Sequence, residues 1–162
     1  MTDPFLFWKT AHIFSATILL GSGIAIAFFC WFGYRSAKNS GNIESLRTIL
    51  RLTVVADAWL TAPAVVFQAL SGIVLTKSLG WSMASAWSMA GWGLFVLVGM
   101  CWLPVVAIQI VLRRQAERAS TVASLPPRFH HWFKWWFALG VPAFAALVLL
   151  FYLMVAKPFP VI

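Results

Sequence analysis

FLFWKTAHIFSATILLGSGIAIAFFCWFGY, residues Phe5 to Tyr34, is the stretch that decides the fold of this chain. Its apolar character extends over more than the roughly 20 residues that a helix needs to cross a bilayer core of about 30 Å. It is longer than the apolar core of a signal peptide and lacks a convincing small-residue cleavage site. The stretch therefore predicts a membrane-spanning helix.

Three further apolar stretches are also long enough to span a bilayer. The four predicted spans are residues 5–33, 52–76, 86–112 and 135–156. The composition agrees, because 62% of the residues are hydrophobic and only 10% are charged, unlike a typical soluble domain. We therefore expect residues 1–162 to form a single all-α domain, a four-helix transmembrane bundle.

The basic residues indicate how this bundle is oriented. The formal net charge is +8, and of the 12 basic residues only Lys9, Lys77 and Lys157 lie outside the loops that follow the first and third spans. By the positive-inside rule those two loops are cytoplasmic, so both termini lie on the periplasmic side of a bacterial inner membrane. The positive charge thus reflects topology in a lipid bilayer and does not indicate nucleic acid binding.

His12 is the only histidine inside a predicted span. Ionisable groups at that depth are costly, and they usually face the protein interior and mark a functional site. A narrow stripe of small and polar residues runs beside it at helical spacing: His12, Ser15, Leu19, Ser22 and Gly23. We expect neighbouring helices, and a cofactor, to meet the first span along this stripe. The alternative is that His12 only forms a hydrogen bond with a neighbouring helix.

The other two histidines lie too far from His12 to share a metal ion with it. His130 and His131 are at the inner end of the fourth span, roughly 25 Å away across the bilayer. Neighbouring residues on a helix also point about 100° apart, so this pair does not suit one ion. We interpret both as interfacial anchors.

Haem is the cofactor that fits the ligands available near His12. Met89 and Met154 share the outer half of the bundle with His12, and a b-type haem iron can be held by His and Met or by His alone. Lys9, together with Lys77 and Lys157, would lie at the same side and could pair with the haem propionates.

Asp57 is the only acidic residue inside a span. It could carry a proton or charge as a relay with Arg51, or form a salt bridge with Arg51 or Arg47. Alternatively, it lies near a helix end with its carboxylate at the interface or bonded to the backbone. In the same span Pro63 predicts a kink, because it cannot donate to the carbonyl of Trp59.

Sequence patterns of common enzyme sites are missing from the chain. There is no nucleophile–base pair, phosphate loop or carboxylate dyad, and Cys30 and Cys101 are predicted to be buried thiols because they lie in apolar spans without a CxxC pattern. Glycines on the first and third spans permit close self-association, so we expect a homo-oligomer.

Short motifs in this chain resemble the HemJ family, bacterial membrane proteins assigned as protoporphyrinogen oxidases. Trp8 to Ile13 (WKTAHI) is similar to the family's opening WxKxxH, and Val155 to Phe159 (VAKPF) to its closing VVKPF. Thr61 to Ala64, followed by Gly72, resembles the turn and later glycine of its second helix. The resemblance implies a b-type haem with His12 as the matching ligand.

The chain looks closer still to an uncharacterised group related to the copper-resistance D membrane proteins. Leu125 to Arg128 (LPPR) and Leu153 to Pro158 (LMVAKP) carry this second resemblance. The HemJ family has a histidine late in its third helix, where this chain has Ile108 and Gln109, and Arg51 is the nearest match to its basic residues before the second span.

Three functions follow from these observations. The first is a haem protein that transfers electrons to or from quinone, or oxidises a tetrapyrrole. The second is a copper or other metal carrier that would use His12 with the soft ligands Met83, Met89 and Met154. The third is a non-catalytic structural subunit in which His12 is a helix–helix hydrogen bond.

Overall fold

The computed structural model describes residues 3–158, which are almost entirely helical. The helices are α1 (Pro4–Ser40), α2 (Ile43–Ala56), α3 (Ala62–Ser78), α4 (Ala86–Arg118) and α5 (Pro127–Ala156). A π-helical turn, Asp57–Thr61, joins α2 to α3, so that Ile43–Ser78 is one continuous helix. Within the described residues there is no strand, and four helices are long and apolar enough to cross a membrane, as the sequence predicts.

Polar side chains define where the helices begin. The Asp3 carboxylate accepts from the backbone N–H of Phe5, and the Asn42 side chain accepts from that of Ser45. α1 ends at Ser40 and is capped by Gly41, whose positive φ of 71° favours a residue without Cβ. α1 and α4 both continue beyond the predicted spans, because the helix-forming residues after each span extend the helix into the basic loops.

The π-helical turn lies directly before Pro63. The backbone N–H of Ala62 bonds to the carbonyl of Asp57, five residues earlier. Proline has no N–H and its ring crowds the carbonyl four residues before it, so the preceding turn widens. The predicted distortion at Pro63 is therefore present, and it takes the form of an extra residue in the helical turn.

All four long helices share one core at the end of the bundle that carries the α1–α2 and α4–α5 loops, which we call the basic end. Here α1 packs on α2, α2 on α4, and α4 on α5. The core residues come from each of these helices: Ile26, Cys30, Ala37, Leu46, Leu50, Val105, Ile108, Leu112, Ala116, Phe129, Phe133 and Trp136. Both thiols, Cys30 and Cys101, are buried and free, as predicted.

At the opposite end, which holds Pro4 and Ala156 and which we call the terminal end, the helices pack as two pairs. α1 packs on α3, and α4 packs on α5. In the second pair the Trp87 indole donates to the carbonyl of Leu153 at 3.0 Å. Gly91 lies within this pair, where a Cβ added to it would be in ordinary contact with Cε of Met154 at 3.5 Å, whereas a Cβ on Gly93 or Gly99 would meet nothing within 4 Å.

Candidate functional site

His12 lies half-buried between α1 and α3, and both of its ring nitrogens contact polar side chains of α3. Nδ1 is 2.7 Å from Oγ of Ser71, and Nε2 is 2.9 Å from the amide nitrogen of Gln68. Ser71 is fully buried. The face of α3 that meets His12 thus supplies a hydroxyl on one side of the ring and an amide on the other.

The hydrogen bonds define which nitrogen of His12 carries the proton. The Ser71 hydroxyl donates its single proton to the carbonyl of Phe67 at 2.6 Å, so it accepts from Nδ1–H of His12. Nε2 then has a free lone pair, to which the Gln68 amide N–H donates. This is the tautomer that metal-binding histidines use, with Nδ1–H fixed by an acceptor and Nε2 available as the ligand.

Two further features distinguish the Nε2 side of the ring. Oε1 of Gln68 is buried and has no hydrogen-bond partner among the described residues. Buried polar atoms are normally paired, so the Gln68 amide is incompletely satisfied where it lies. Gly72 lies next to the ring, because a Cβ added there would be in ordinary contact with Cε1 of His12 at 3.6 Å.

His12 is the first member of a polar seam between α1 and the α2–α3 helix. Ser15 donates to the carbonyl of Ala64 at 3.1 Å. Further along, two pairs of side chains are in hydrogen-bond contact, Ser22 with Thr61 at 3.1 Å and Cys30 with Thr53 at 2.9 Å. The stripe predicted on α1 is therefore the helix contact, with Ser15, Leu19 and Ser22 all buried.

Gly23 does not belong to this contact. It is exposed, and a Cβ added to it would meet nothing within 4 Å. Its inclusion in the stripe was wrong. The buried positions of α1 continue from Ser22 to Ile26, four residues later, so Gly23 faces away from the contact.

Neither methionine predicted as a second ligand is among the residues that contact the ring nitrogens of His12. Met89 is 63% exposed, and Met154 packs against Gly91 within the α4–α5 pair. His12 is eight residues into α1, about 12 Å from its start, whereas Met154 is two residues, about 3 Å, from the end of α5. His12 is therefore the one predicted iron ligand that the described residues place against other polar groups.

The three lysines outside the basic loops all have exposed side chains at or near the terminal end. The Lys9 ammonium lies 6.0 Å from the centre of the Phe5 ring, and the Lys157 ammonium lies 4.9 Å from that of Trp81. Lys77 is in the last turn of α3. The three lysines therefore lie at one end of the bundle, as predicted, and two of them, Lys9 and Lys157, lie over aromatic rings.

Asp57 is 95% buried in the π-helical turn, which corrects the expectation that it lies near a helix end. Its Oδ1 accepts a long hydrogen bond of 3.4 Å from the Trp102 indole, and Oδ2 has no partner among the described residues. Arg51 is exposed, and Arg47 bonds to the carbonyls of Ala116 and Ala119. Neither arginine forms an ion pair with Asp57.

The adjacent histidines at the basic end point to different partners, as predicted. Nδ1 of His130 contacts the Tyr34 hydroxyl at 2.6 Å, while Nε2 of His131 accepts from the Trp135 indole at 3.0 Å. Within residues 3–158, no three His, Cys, Asp or Glu side chains come together in a way that would hold a metal ion.

Gln68 and Ser71 were not predicted as partners of His12. A signal was available, because polar residues recur at spacings of three, four or seven along one face of this helix: Thr53, Asp57, Thr61, Gln68 and Ser71. That periodicity marks the face that meets the polar stripe of α1. The pattern therefore predicts that α1 packs against the α2–α3 helix.

A comparison with protein families agrees with this architecture. Residues 6–158 match the family described as "Predicted integral membrane protein (DUF2269)". No curated protein and no solved structure matches the chain. The matched region covers all four long helices, and the chain belongs to the DUF2269 family of predicted integral membrane proteins.

Proposed function

We propose that this integral membrane protein binds a b-type haem through Nε2 of His12 and transfers electrons within the bilayer. The observation that carries the proposal is the hydrogen-bond arrangement of the imidazole, with Nδ1–H fixed by Ser71 and Nε2 facing an amide that is only half satisfied. The resemblance to HemJ around His12 supports the same assignment.

Three features of the chain fit such a ligand. The Ser71 hydroxyl, itself bonded to the Phe67 carbonyl, would hold the imidazole in the ligand tautomer and orientation. The Gln68 amide is the group that Nε2 faces, and its Oε1 has no partner among the described residues. Gly72, which has no Cβ, lies next to the ring.

The packing of the helices also supports a site at the terminal end. The common core lies at the basic end, and the α1–α3 and α4–α5 pairs pack separately near His12. A flat apolar group could enter between the pairs without disrupting the common core. The exposed Lys9, Lys77 and Lys157 at that end would supply positive charge for carboxylate groups.

The electron-transfer role follows from the chemistry of the cofactor. When bound, haem iron changes oxidation state by one electron, and axial ligation and burial set its potential. The chain's own contribution is to bind the iron, orient the ring and exclude water. We propose a membrane-soluble quinone or a tetrapyrrole as the redox partner, with the site on the periplasmic side of a bacterial inner membrane.

The test is the visible absorption spectrum of the protein purified in mild detergent from cells supplied with ample haem, oxidised and then reduced with dithionite. We expect a Soret band and a reduced α band of the b type. A spectrum without a Soret band but with bound copper would contradict the proposal and favour a metal carrier. A colourless, metal-free protein would contradict it in favour of a structural subunit, in which His12 only joins two helices.

A further inference from the structure

We propose that Asp57 is a proton-binding site inside the membrane, which exchanges protons with the basic end of the bundle. This proposal is independent of haem, since it rests on a different part of the molecule.

The Asp57 carboxyl group is buried and has few hydrogen-bond donors around it. Of the four acidic residues in the chain, Asp57 is the only buried one, because Asp3, Glu44 and Glu117 are all exposed. It is 5% exposed, receives one long hydrogen bond from the Trp102 indole, and has no partner at Oδ2. A carboxylate in apolar surroundings needs paired charges or several donors, and a group without them avoids the cost by binding a proton.

Among residues 3–158, no lysine or arginine forms an ion pair with Asp57. From α1 the nearest titratable group is the Cys30 thiol, and α4 contributes the Trp102 indole and the buried Cys101 thiol. α3 carries no basic residue before Lys77, and on α2 Arg51 is exposed while Arg47 bonds to the end of α4. The proton itself is therefore the counter-charge available to this carboxyl group.

Along the polar seam, Asp57 lies closer to the basic end of the bundle than to the terminal end. Asp57 is six residues from Arg51, about 9 Å by helical rise, but 20 residues, about 30 Å, from Lys77 at the terminal end. One turn nearer to the basic end, the Thr53 hydroxyl is in contact with the Cys30 thiol at 2.9 Å. On the same side, α4 presents the buried Gln109, whose Oε1 has no partner among the described residues. Hydroxyl, thiol and amide groups thus lie between Asp57 and the basic end of the bundle.

A π-helical turn begins at Asp57. It adds a residue to the helical turn and rotates the helix after Asp57 relative to the helix before it. Asp57 contacts Trp102 of α4 and lies between Thr53 and Thr61, which both contact α1. Such turns are frequent at functional sites, and here it surrounds the single buried acid.

The first experiment is infrared spectroscopy of the protein reconstituted in lipid vesicles at neutral pH. We expect the C=O stretching band of a protonated carboxyl group, which shifts when H₂O is replaced by D₂O and is absent in Asp57→Asn. Asparagine keeps the size and the acceptor for Trp102. The matched control, Glu117→Gln, removes an exposed carboxyl group and should leave the band unchanged. No such band in the wild-type protein would overturn the proposal.

The assignment does not depend on the folding of the variant. A membrane-soluble carbodiimide adds to a protonated carboxyl group, with the oxygen bonding to the central carbon and the proton passing to nitrogen. Peptide mass spectrometry of the wild-type protein should locate the adduct at Asp57 at neutral pH. Absence of labelling at Asp57 would count against the bound proton.

The route is tested by the rate of hydrogen–deuterium exchange at the same band. Thr53→Val should slow the exchange about tenfold or more, because it removes the hydroxyl on the basic side with little change in volume. Thr61→Val, the matched change one turn toward the terminal end, should leave the rate unchanged. The opposite result would overturn exchange through the basic end.

Discussion

At the scale of single residues, His12 and His130 are both hydrogen-bonded histidines, yet their surroundings differ. His130 contacts one phenol, that of Tyr34, at the basic end. His12 is held on both nitrogens by residues of another helix, and the Ser71 hydroxyl is itself fixed to a carbonyl. Such a chain of acceptors behind Nδ1–H orients the ring and makes Nε2 a better ligand.

Ser71→Ala tests this positioning role. The variant removes the acceptor of Nδ1–H, so we expect haem affinity to fall about 10- to 100-fold while the band shape of a His-ligated haem is kept. Haem titration of the purified protein, followed at the Soret band, measures the change. Ser78→Ala is the control, since the exposed Ser78 hydroxyl bonds only to its own helix. Equal affinity for wild type and Ser71→Ala would contradict the role.

The sequence allowed His12 to be singled out, because a histidine in an apolar helix is unusual and costly. It did not allow its partners to be assigned, since Gln68 and Ser71 lie 56 and 59 residues away and only the pairing of α1 with α3 brings them together. The burial of Asp57 was missed for the same reason. Whether Asp57 is buried depends on which face of its helix meets α1 and α4.

At the scale of helices, the α2–α4 contact is stabilised by an arginine at a helix end. Arg47 donates from Nε to the carbonyl of Ala116 at 3.1 Å and from Nη2 to that of Ala119 at 2.6 Å. These carbonyls belong to the last turn of α4 and its cap, which have no partner within the helix. A cation there also interacts favourably with the helix dipole.

Arg47→Gln should therefore destabilise the fold. Loss of hydrogen bonds from a charged donor to partly buried carbonyls is expected to cost about 1.5 to 3 kcal/mol. Thermal unfolding in detergent, followed by circular dichroism, should give a lower midpoint than for the wild type. Arg51→Gln is the matched control, because Arg51 is exposed and forms no ion pair with a described residue. Similar midpoints for both variants would argue against the capping role.

The helices themselves were largely predictable, but their details were not. Apolar length identifies a span, so all four were found. The extension of α1 to Ser40 and of α4 to Arg118 lies outside the apolar stretches, where hydropathy carries no signal. A distortion near Pro63 was predictable from its missing N–H, whereas its π-helical form was not.

At the scale of the whole molecule, four antiparallel helices place the basic loops at one end and the termini at the other. Hydropathy does not define which helices are neighbours, because lipid is as apolar as a leucine side chain and small or polar residues decide the contacts. Here the hydrogen bonds of the polar seam join α1 to the α2–α3 helix. Gly21, Gly23 and Gly93 have no neighbour within 4 Å of an added Cβ, so another copy of the chain could pack against them. Self-association stays a prediction.

The orientation follows from the charge distribution and can be tested by cysteine labelling. Ser82 and Ser120 are exposed residues between α3 and α4 and between α4 and α5, respectively. In intact bacterial cells, an impermeant maleimide should label Ser82→Cys and should label Ser120→Cys only after the membrane is opened. The native Cys30 and Cys101 are buried and should give little background. The reverse pattern would show that the basic loops lie outside.

The central claim is that His12 binds haem iron, and its most direct test is the haem content of two histidine variants purified side by side. His12→Ala should lose the Soret band, while His130→Ala, which removes a histidine at the opposite end of the same bundle, should keep haem at the wild-type ratio to protein. Full haem occupancy in His12→Ala would contradict the claim, and His12 would then be a hydrogen-bonded contact between α1 and α3.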